Sequence, residues 1–172
     1  MYPFFSAIDK ISRRINNYSK IAYYKAKFGK RLKIGKGVCF RKGFIINISE
    51  NGFLEIGNNS FFNNNCSINC RDKIIIGSDN LFGENVKIYD HNHVFNDKKL
   101  NIKRSFTNKQ IIIGDRNWFG SNVVILSGAK IGSYNVFGAS TIINNEYGSE
   151  CLVRVNDKIS VEKIQFRESK NE

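Results

Sequence analysis

From Ile34 onward the chain repeats a hydrophobic mark every six residues. Ile34, Phe40 and Ile46 are six apart, and so are Ile56, Phe62, Ile68; Ile76, Phe82, Ile88; Ile113, Phe119, Ile125; and Ile131, Phe137, Ile143. A small or polar residue often follows the mark, as at Gly57, Gly77, Gly83, Gly114, Gly120, Gly132 and Gly138. Four places after it stands a small, β-branched or turn-forming residue such as Val38, Ser60, Cys66, Val86, Val123, Ala129 or Thr141. A period of six fits neither one helix, at 3.6, nor a flat strand, at 2. It fits a solenoid whose coils are triangles of three six-residue faces. Single coils cannot bury their own core, so each marked residue points inward and stacks on its equivalent in the next coil. The order Ile-Phe-Ile predicts one face with a ladder of Phe40, Phe62, Phe82, Phe119 and Phe137, flanked by two ladders of isoleucine.

Spacing between coils locates the interruptions. Ile113 to Ile131 is 18 residues, one uninterrupted coil. The interval Ile34 to Ile56 leaves four extra residues around Ser49–Gly52, and Ile56 to Ile76 leaves two near Asp72–Ile75. From Ile76 to Ile113 there are 19 extra, which predicts an inserted loop over 94–112. Loops of that length in compact domains are commonly functional. Before the beat, residues 3–28 read as a helix: Pro3 suits a first turn, and Phe4, Ile8, Ile11, Ile15, Tyr18 and Ala22 form an apolar stripe. After Asn144 the beat stops, so 145–172 reads as a cap and tail. The chain thus divides into a helical segment 1–33, a solenoid 34–144 and a C-terminal segment 145–172.

Composition sharpens this. The 172 residues are 41% hydrophobic, enough for one domain with a sizeable core. No apolar run approaches membrane-spanning length and no secretory signal opens the chain, so the expected place is the cytoplasm. Cys39, Cys66, Cys70 and Cys151 are therefore expected as thiols. Cys66 and Cys70 lack a second ligand pair at zinc spacing and read as small apolar filler. Net charge is +12, and residues 1–43 supply +11 of it, with twelve Lys or Arg against Asp9. An anionic partner follows: a bilayer surface, a charged glycan or a nucleic acid. The first helix then has two readings, on an anionic inner membrane face or packed against the scaffold or a neighbouring subunit. Nucleic acid is not expected, because no binding fold accompanies the charge.

The chemistry-bearing residues gather at one place. Both histidines, His91 and His93, stand immediately before the insertion, in the run I-Y-D-H-N-H at 88–93, and the only tryptophan, Trp118, follows it. The insertion carries Lys98, Lys99, Lys103, Arg104 and Lys109 against one acid, Asp97. Two imidazoles two apart on an extended chain share a side and can ligate a metal, which leaves a metal-site reading beside a catalytic one.

The beat over 34–143 and the run I-G-D-R-N-W-F-G-S-N-V-V-I-L-S-G-A-K-I-G-S-Y-N-V-F-G-A-S at 113–140 resemble the hexapeptide-repeat acyltransferases. The branch resembled is that of the maltose/galactoside and capsular or lipopolysaccharide O-acetyltransferases. The resemblance implies an all-β left-handed parallel β-helix, of about five coils, with acetyl-CoA as co-substrate and no metal. It implies a homotrimer with active sites between subunits and a sugar hydroxyl on a surface glycan as acceptor. His93, counted from Ile88 as the coil-closing position, matches the family's general base. Asn63 matches an acceptor-side asparagine, with Asp90 and His91 as its neighbours at the acceptor. Trp118, the Ser121 amide, Gly138 and Ala139 match cofactor contacts, and Asn144 and Lys158 match the nucleotide end. The family's polar-basic pair is replaced by Asn144 and Asn145, and of its Gly-x-Pro-Ala-Lys tail only Lys158 remains. The alternatives are a non-catalytic scaffold or sugar-nucleotide-binding module, and N-transfer to an amino sugar.

Overall fold

The computed structural model describes residues 2–154, and for residues 2–11 and 13 the backbone alone. A helix, Tyr2–Phe28, leads into a parallel β-solenoid with three sheets. Sheet I stacks the strands Leu32–Ile34, Phe53–Ile56, Lys73–Ile76, Ile111–Ile113, Lys130–Ile131 and Glu146–Tyr147. Sheet II stacks Cys39–Phe40, Phe61–Phe62, Leu81–Phe82, Trp118–Phe119, Val136–Phe137 and Leu152–Val153. Sheet III stacks Ile45–Ile48, Ser67–Cys70, Lys87–Tyr89, Val124–Ile125 and Ile142–Ile143. The chain runs from I to II to III and returns to I one coil higher.

The registers are those of the hydrophobic beat. Phe40 pairs with Phe62, Phe62 with Phe82, Phe82 with Phe119, and Phe119 with Phe137. Their rings form a continuous stack: Phe62–Phe82 centroids are 4.3 Å apart, Phe82–Phe119 4.7 Å and Phe119–Phe137 5.1 Å, with planes within 6° of parallel. Isoleucine ladders run down sheet I (Ile34, Ile56, Ile76, Ile113, Ile131) and sheet III (Ile46, Ile68, Ile88, Ile125, Ile143). Cys66 and Cys70 are buried core residues, and burial pushes their thiols up to about 11 and about 12.

The sequence shows neither the end of the solenoid nor one of its internal supports. About five coils are expected, but sheets I and II each have six strands. Tyr147 takes the isoleucine place beside Ile131, and Val153 the phenylalanine place beside Phe137. The beat hides this turn because Ile131 to Tyr147 is 16 residues rather than 18. Tyr147 also closes the aromatic stack edge-on, 5.3 Å from Phe137. At the corner between sheets I and II, buried Asn80, Asn117 and Asn135 form a second ladder. Asn80 Oδ1 accepts from Asn117 N (2.9 Å), and Asn117 Oδ1 accepts from Asn135 N (2.9 Å). These amides take the backbone groups that a tight corner would leave orphaned.

The helix covers the open end of the first coil. Asn17 accepts from Phe40 N (2.7 Å) and donates to the Val38 carbonyl (2.9 Å). Tyr24 Oη donates to the Phe44 carbonyl (3.0 Å), and Arg31 donates to the Ser49 carbonyl (2.6 Å). The exposed edge strand is thereby blunted by side chains rather than left as a template for another strand. Tyr24 and Phe28 bury against the core on this face. The docked face is not the apolar stripe of the sequence: Ile15 and Tyr18 are 61% and 70% exposed, on nearly the opposite side of the helix.

Candidate functional site

All three interruptions of the beat fall on one corner, where sheet III returns to sheet I. The turn after Ile48, the turn Arg71–Asp72 and the large insertion lie one above another there. The insertion differs in extent and form from a loop over 94–112. The chain leaves the coil at Asp90 and forms an antiparallel hairpin, His91–His93 against Phe106–Asn108, before rejoining sheet I at Ile111. The mark at Ile113 conceals this, because Ile111 is itself an inward, fully buried residue of the returning strand. His93 therefore does not close a coil; it stands three residues out, on the hairpin.

The hairpin's root is fixed by Asp90. This carboxylate is fully buried and accepts from Arg71 N (2.8 and 3.0 Å) and Asp72 N (2.8 Å) in the coil below. Its own carbonyl accepts from Lys109 N (2.9 Å) across the hairpin and from Ser127 Oγ (2.9 Å) in the coil above. The resemblance places Asp90 at the acceptor; its carboxylate instead serves backbone amides inside the wall and reaches the His91 imidazole. A buried carboxylate is tolerated when several N–H groups surround it. Burial and the neighbouring Asp90 together hold the Cys70 thiol protonated.

His91 is half-buried. Its Nδ1 lies 3.1 Å from Asp90 Oδ1, and its ring meets Phe106 edge-on at 5.6 Å. His93 is exposed, with its ring 4.4 Å from Phe106 and its Nδ1 2.6 Å from the Ile102 carbonyl oxygen. A carbonyl only accepts, so Nδ1 carries the hydrogen, and in the neutral imidazole Nε2 is the nitrogen with the lone pair. Ile102 was not singled out in the sequence; a backbone carbonyl leaves no side-chain signature. Beneath the hairpin, the Arg71 guanidinium lies 3.6 Å from the Phe106 ring centroid.

Asn63, Ser121, Gly138 and Ala139 occupy a different corner, between sheets II and III. Asn63 follows Phe62 there, Ser121 follows Phe119 and Gly120, and Gly138–Ala139 follow Phe137. Asn63 Oδ1 accepts from Asn64 N (2.9 Å). No described residue accepts the Ser121 N–H, although the Ser121 carbonyl accepts from Ser140 N (2.8 Å). A Cβ on Gly120 would come within 2.6 Å of Ala139 N, so this column needs glycine for its coils to stack closely. Trp118 points outward from sheet II and is 53% exposed. Asn144 is exposed on the hairpin's own corner, above Ser127, and Lys158 lies outside the described residues. One chain thus places its exposed imidazole on one corner of the prism and the free amide, the glycine column and Asn63 on another. Among the described residues no group of three His, Cys, Asp or Glu converges as a metal site would require.

The family described as bacterial transferase hexapeptide (six repeats) matches residues 110–145. A hexapeptide-repeat acetyltransferase from Vibrio cholerae O1 biovar eltor, solved with acetyl coenzyme A, is 25% identical, with a TM-score of 0.69 over 80% of this chain and 72% of that one. A maltose O-acetyltransferase from Clostridium difficile 630 is 24% identical, with a TM-score of 0.66 over 91% of this chain and 84% of that one. A galactoside acetyltransferase in complex with coenzyme A is 24% identical, with a TM-score of 0.65 over 81% and 73%. At that identity the last two bear on the fold of this hexapeptide-repeat chain and not on its substrate.

Proposed function

We propose that the protein is an acetyl-CoA-dependent O-acetyltransferase acting on a sugar hydroxyl of a surface glycan. The observation that carries this reading is the exposed His93, whose Nδ1 is committed to the Ile102 carbonyl at 2.6 Å and whose Nε2 is free to accept a proton. An alcohol is a poor nucleophile near neutral pH, and imidazole is suited to take its proton as it attacks. In the proposed step the acceptor oxygen bonds to the thioester carbonyl carbon while His93 Nε2 takes the hydroxyl proton. The oxyanion accepts from the free Ser121 N–H. The carbon–sulfur bond then breaks, and the departing thiolate takes the proton back from the imidazolium. No acyl-enzyme is needed.

Because His93 and Ser121 lie on different corners of one prism, this chemistry calls for a neighbouring copy. Hexapeptide-repeat acetyltransferases are generally trimers. In a trimer, the hairpin of one subunit would face Ser121, Trp118, Gly138 and Ala139 of the next. Asn63 stands on that second corner too, as an acceptor contact, with His91 lining the hairpin side. Asn144 and Lys158 remain the proposed contacts of the cofactor's nucleotide end. The reading is tested by calorimetry with acetyl-CoA and by thiol release against a panel of glycans. Absence of acetyl-CoA binding sinks it in favour of a non-catalytic scaffold.

The first helix is proposed to meet an anionic bilayer at the inner membrane face. No helix among the described residues is long and apolar enough to cross a membrane. Its docking on the first coil leaves Ile15 and Tyr18 exposed, with Arg14 and Lys25 exposed beside them, as a surface helix on acidic lipid would require. Sedimentation with phosphatidylglycerol vesicles, and not with phosphatidylcholine vesicles, is the expected result.

A further inference from the structure

Arg71 has a placement that the proposed reaction does not use. It stands in the two-residue turn directly below the hairpin, and its backbone N–H is taken by Asp90. Its guanidinium carbon lies 3.6 Å from the Phe106 ring centroid, and the Phe106 and His93 ring centroids are 4.4 Å apart. The cation is therefore one ring away from the proposed base. Its Nε is buried with no hydrogen-bond partner, and no described carboxylate pairs with its side chain. The acid next in sequence, Asp72, is exposed and makes no described ion pair with Arg71, and Asp90 is fully buried and accepts from backbone amides and His91. A buried Nε–H without an acceptor is costly, and the fork geometry of a guanidinium is suited to a carboxylate or phosphate.

The hairpin above it has the same sign. The hairpin and its arm carry Lys98, Lys99, Lys103, Arg104 and Lys109 against Asp97, and the Asp97 carboxylate accepts from Lys99 N (2.9 Å). This position also separates Arg71 from the proposed cofactor contacts. Ser121, Gly138, Ala139 and Asn144 all belong to coils above the hairpin, whereas Arg71 belongs to the coil below it. Arg71 shares its coil with Asn63, the proposed acceptor contact, rather than with the proposed contacts of coenzyme A.

Resting on the acetyltransferase reading, we infer that Arg71 is a specificity-determining residue that binds an anionic group of the acceptor, so that the glycan acetylated is an acidic one. The test uses the full-length protein with acetyl-CoA and three acceptors: a hexuronate oligosaccharide, the same oligosaccharide after carboxyl reduction, and a phosphodiester-linked oligosaccharide. One of the two charged acceptors is expected to have a KM at least about tenfold below the neutral one, the worth of a charge-assisted hydrogen bond. Arg71→Ala should erase that advantage and leave KM for the neutral acceptor and for acetyl-CoA unchanged. Arg71→Lys, which keeps the charge and tolerates the same space, should keep part of it. Equal KM for charged and neutral acceptors in the parent protein overturns the inference. So does an Arg71→Ala effect that falls equally on the neutral acceptor, as a purely structural stack would give, or one that falls on acetyl-CoA. Acetyl-CoA binding with transfer to neutral acceptors only overturns the acidic acceptor and leaves the acetyltransferase reading standing; no acetyl-CoA binding overturns both.

Discussion

The Nδ1 of His93 donates to the main-chain carbonyl of Ile102, 2.6 Å away across the hairpin's arm. The bond ties the proposed base to the insertion that carries it, and it sets which nitrogen is free. His93→Ala should lower kcat at least about a hundredfold, the usual contribution of a positioned base. Oligomeric state by light scattering and the melting temperature should not change, because the residue is exposed. Full activity of this variant would remove His93 from the mechanism.

The Ser121 contribution is proposed for its backbone. Ser121→Ala is therefore expected to retain kcat within about twofold, since the N–H survives the change. A loss of two orders of magnitude in thiol release would mean that the hydroxyl, and not the amide, does the work.

Asp90 anchors the hairpin to the coil below through three backbone hydrogen-bond contacts. Asp90→Ala leaves the part-buried Arg71 and Asp72 amides without their acceptor, at up to about 1–3 kcal/mol for each group. Denaturant unfolding should register that loss. Amide exchange should also speed up in 91–109, where His93 sits, and kcat should fall with it. Asp90→Asn, which keeps an acceptor oxygen, should lose less on both counts.

These residues also mark how far the sequence could be read. The six-residue beat placed the Phe and Ile ladders correctly because inward and outward positions are decided locally, residue by residue. It missed the sixth turn because a two-residue shortening before Tyr147 breaks the count while the stacking continues. The hairpin looked like a loop because neither face of His91–His93 or Phe106–Asn108 is fully buried, so no strict alternation is imposed. The anchoring role of Asp90 was not legible because its partners are chiefly amides, which have no side-chain signature. The helix stripe was legible as a stripe, but the docking is done by Asn17, Tyr24 and Phe28, whose polar atoms satisfy the open coil edge.

The aromatic stack should be the main stabilising column. Phe82 is fully buried between Phe62 and Phe119, with ring centroids at 4.3 and 4.7 Å. Phe82→Ala is expected to cost about 3–5 kcal/mol, because flanking coils held by ladder hydrogen bonds cannot collapse into the gap. Phe82→Leu should cost less. Equilibrium unfolding in guanidinium measures both; a cost near zero for the alanine variant would show that the isoleucine ladders carry the core alone.

The two buried thiols give a pH dependence of definite sign. Burial raises Cys66 from 9.0 to about 11 and Cys70 from 9.0 to about 12, so the folded state holds both protons where the unfolded chain releases them. A proton held more tightly in the folded state contributes stability that is fully present below pH 9.0 and is lost progressively as pH rises toward 11 and 12. Denaturation midpoints should therefore fall across that window. The double variant Cys66→Ala, Cys70→Ala should start from a lower stability, because it loses buried volume, but should show a flatter alkaline limb. A parent and variant with parallel slopes above pH 9.0 would assign the alkaline loss to other groups.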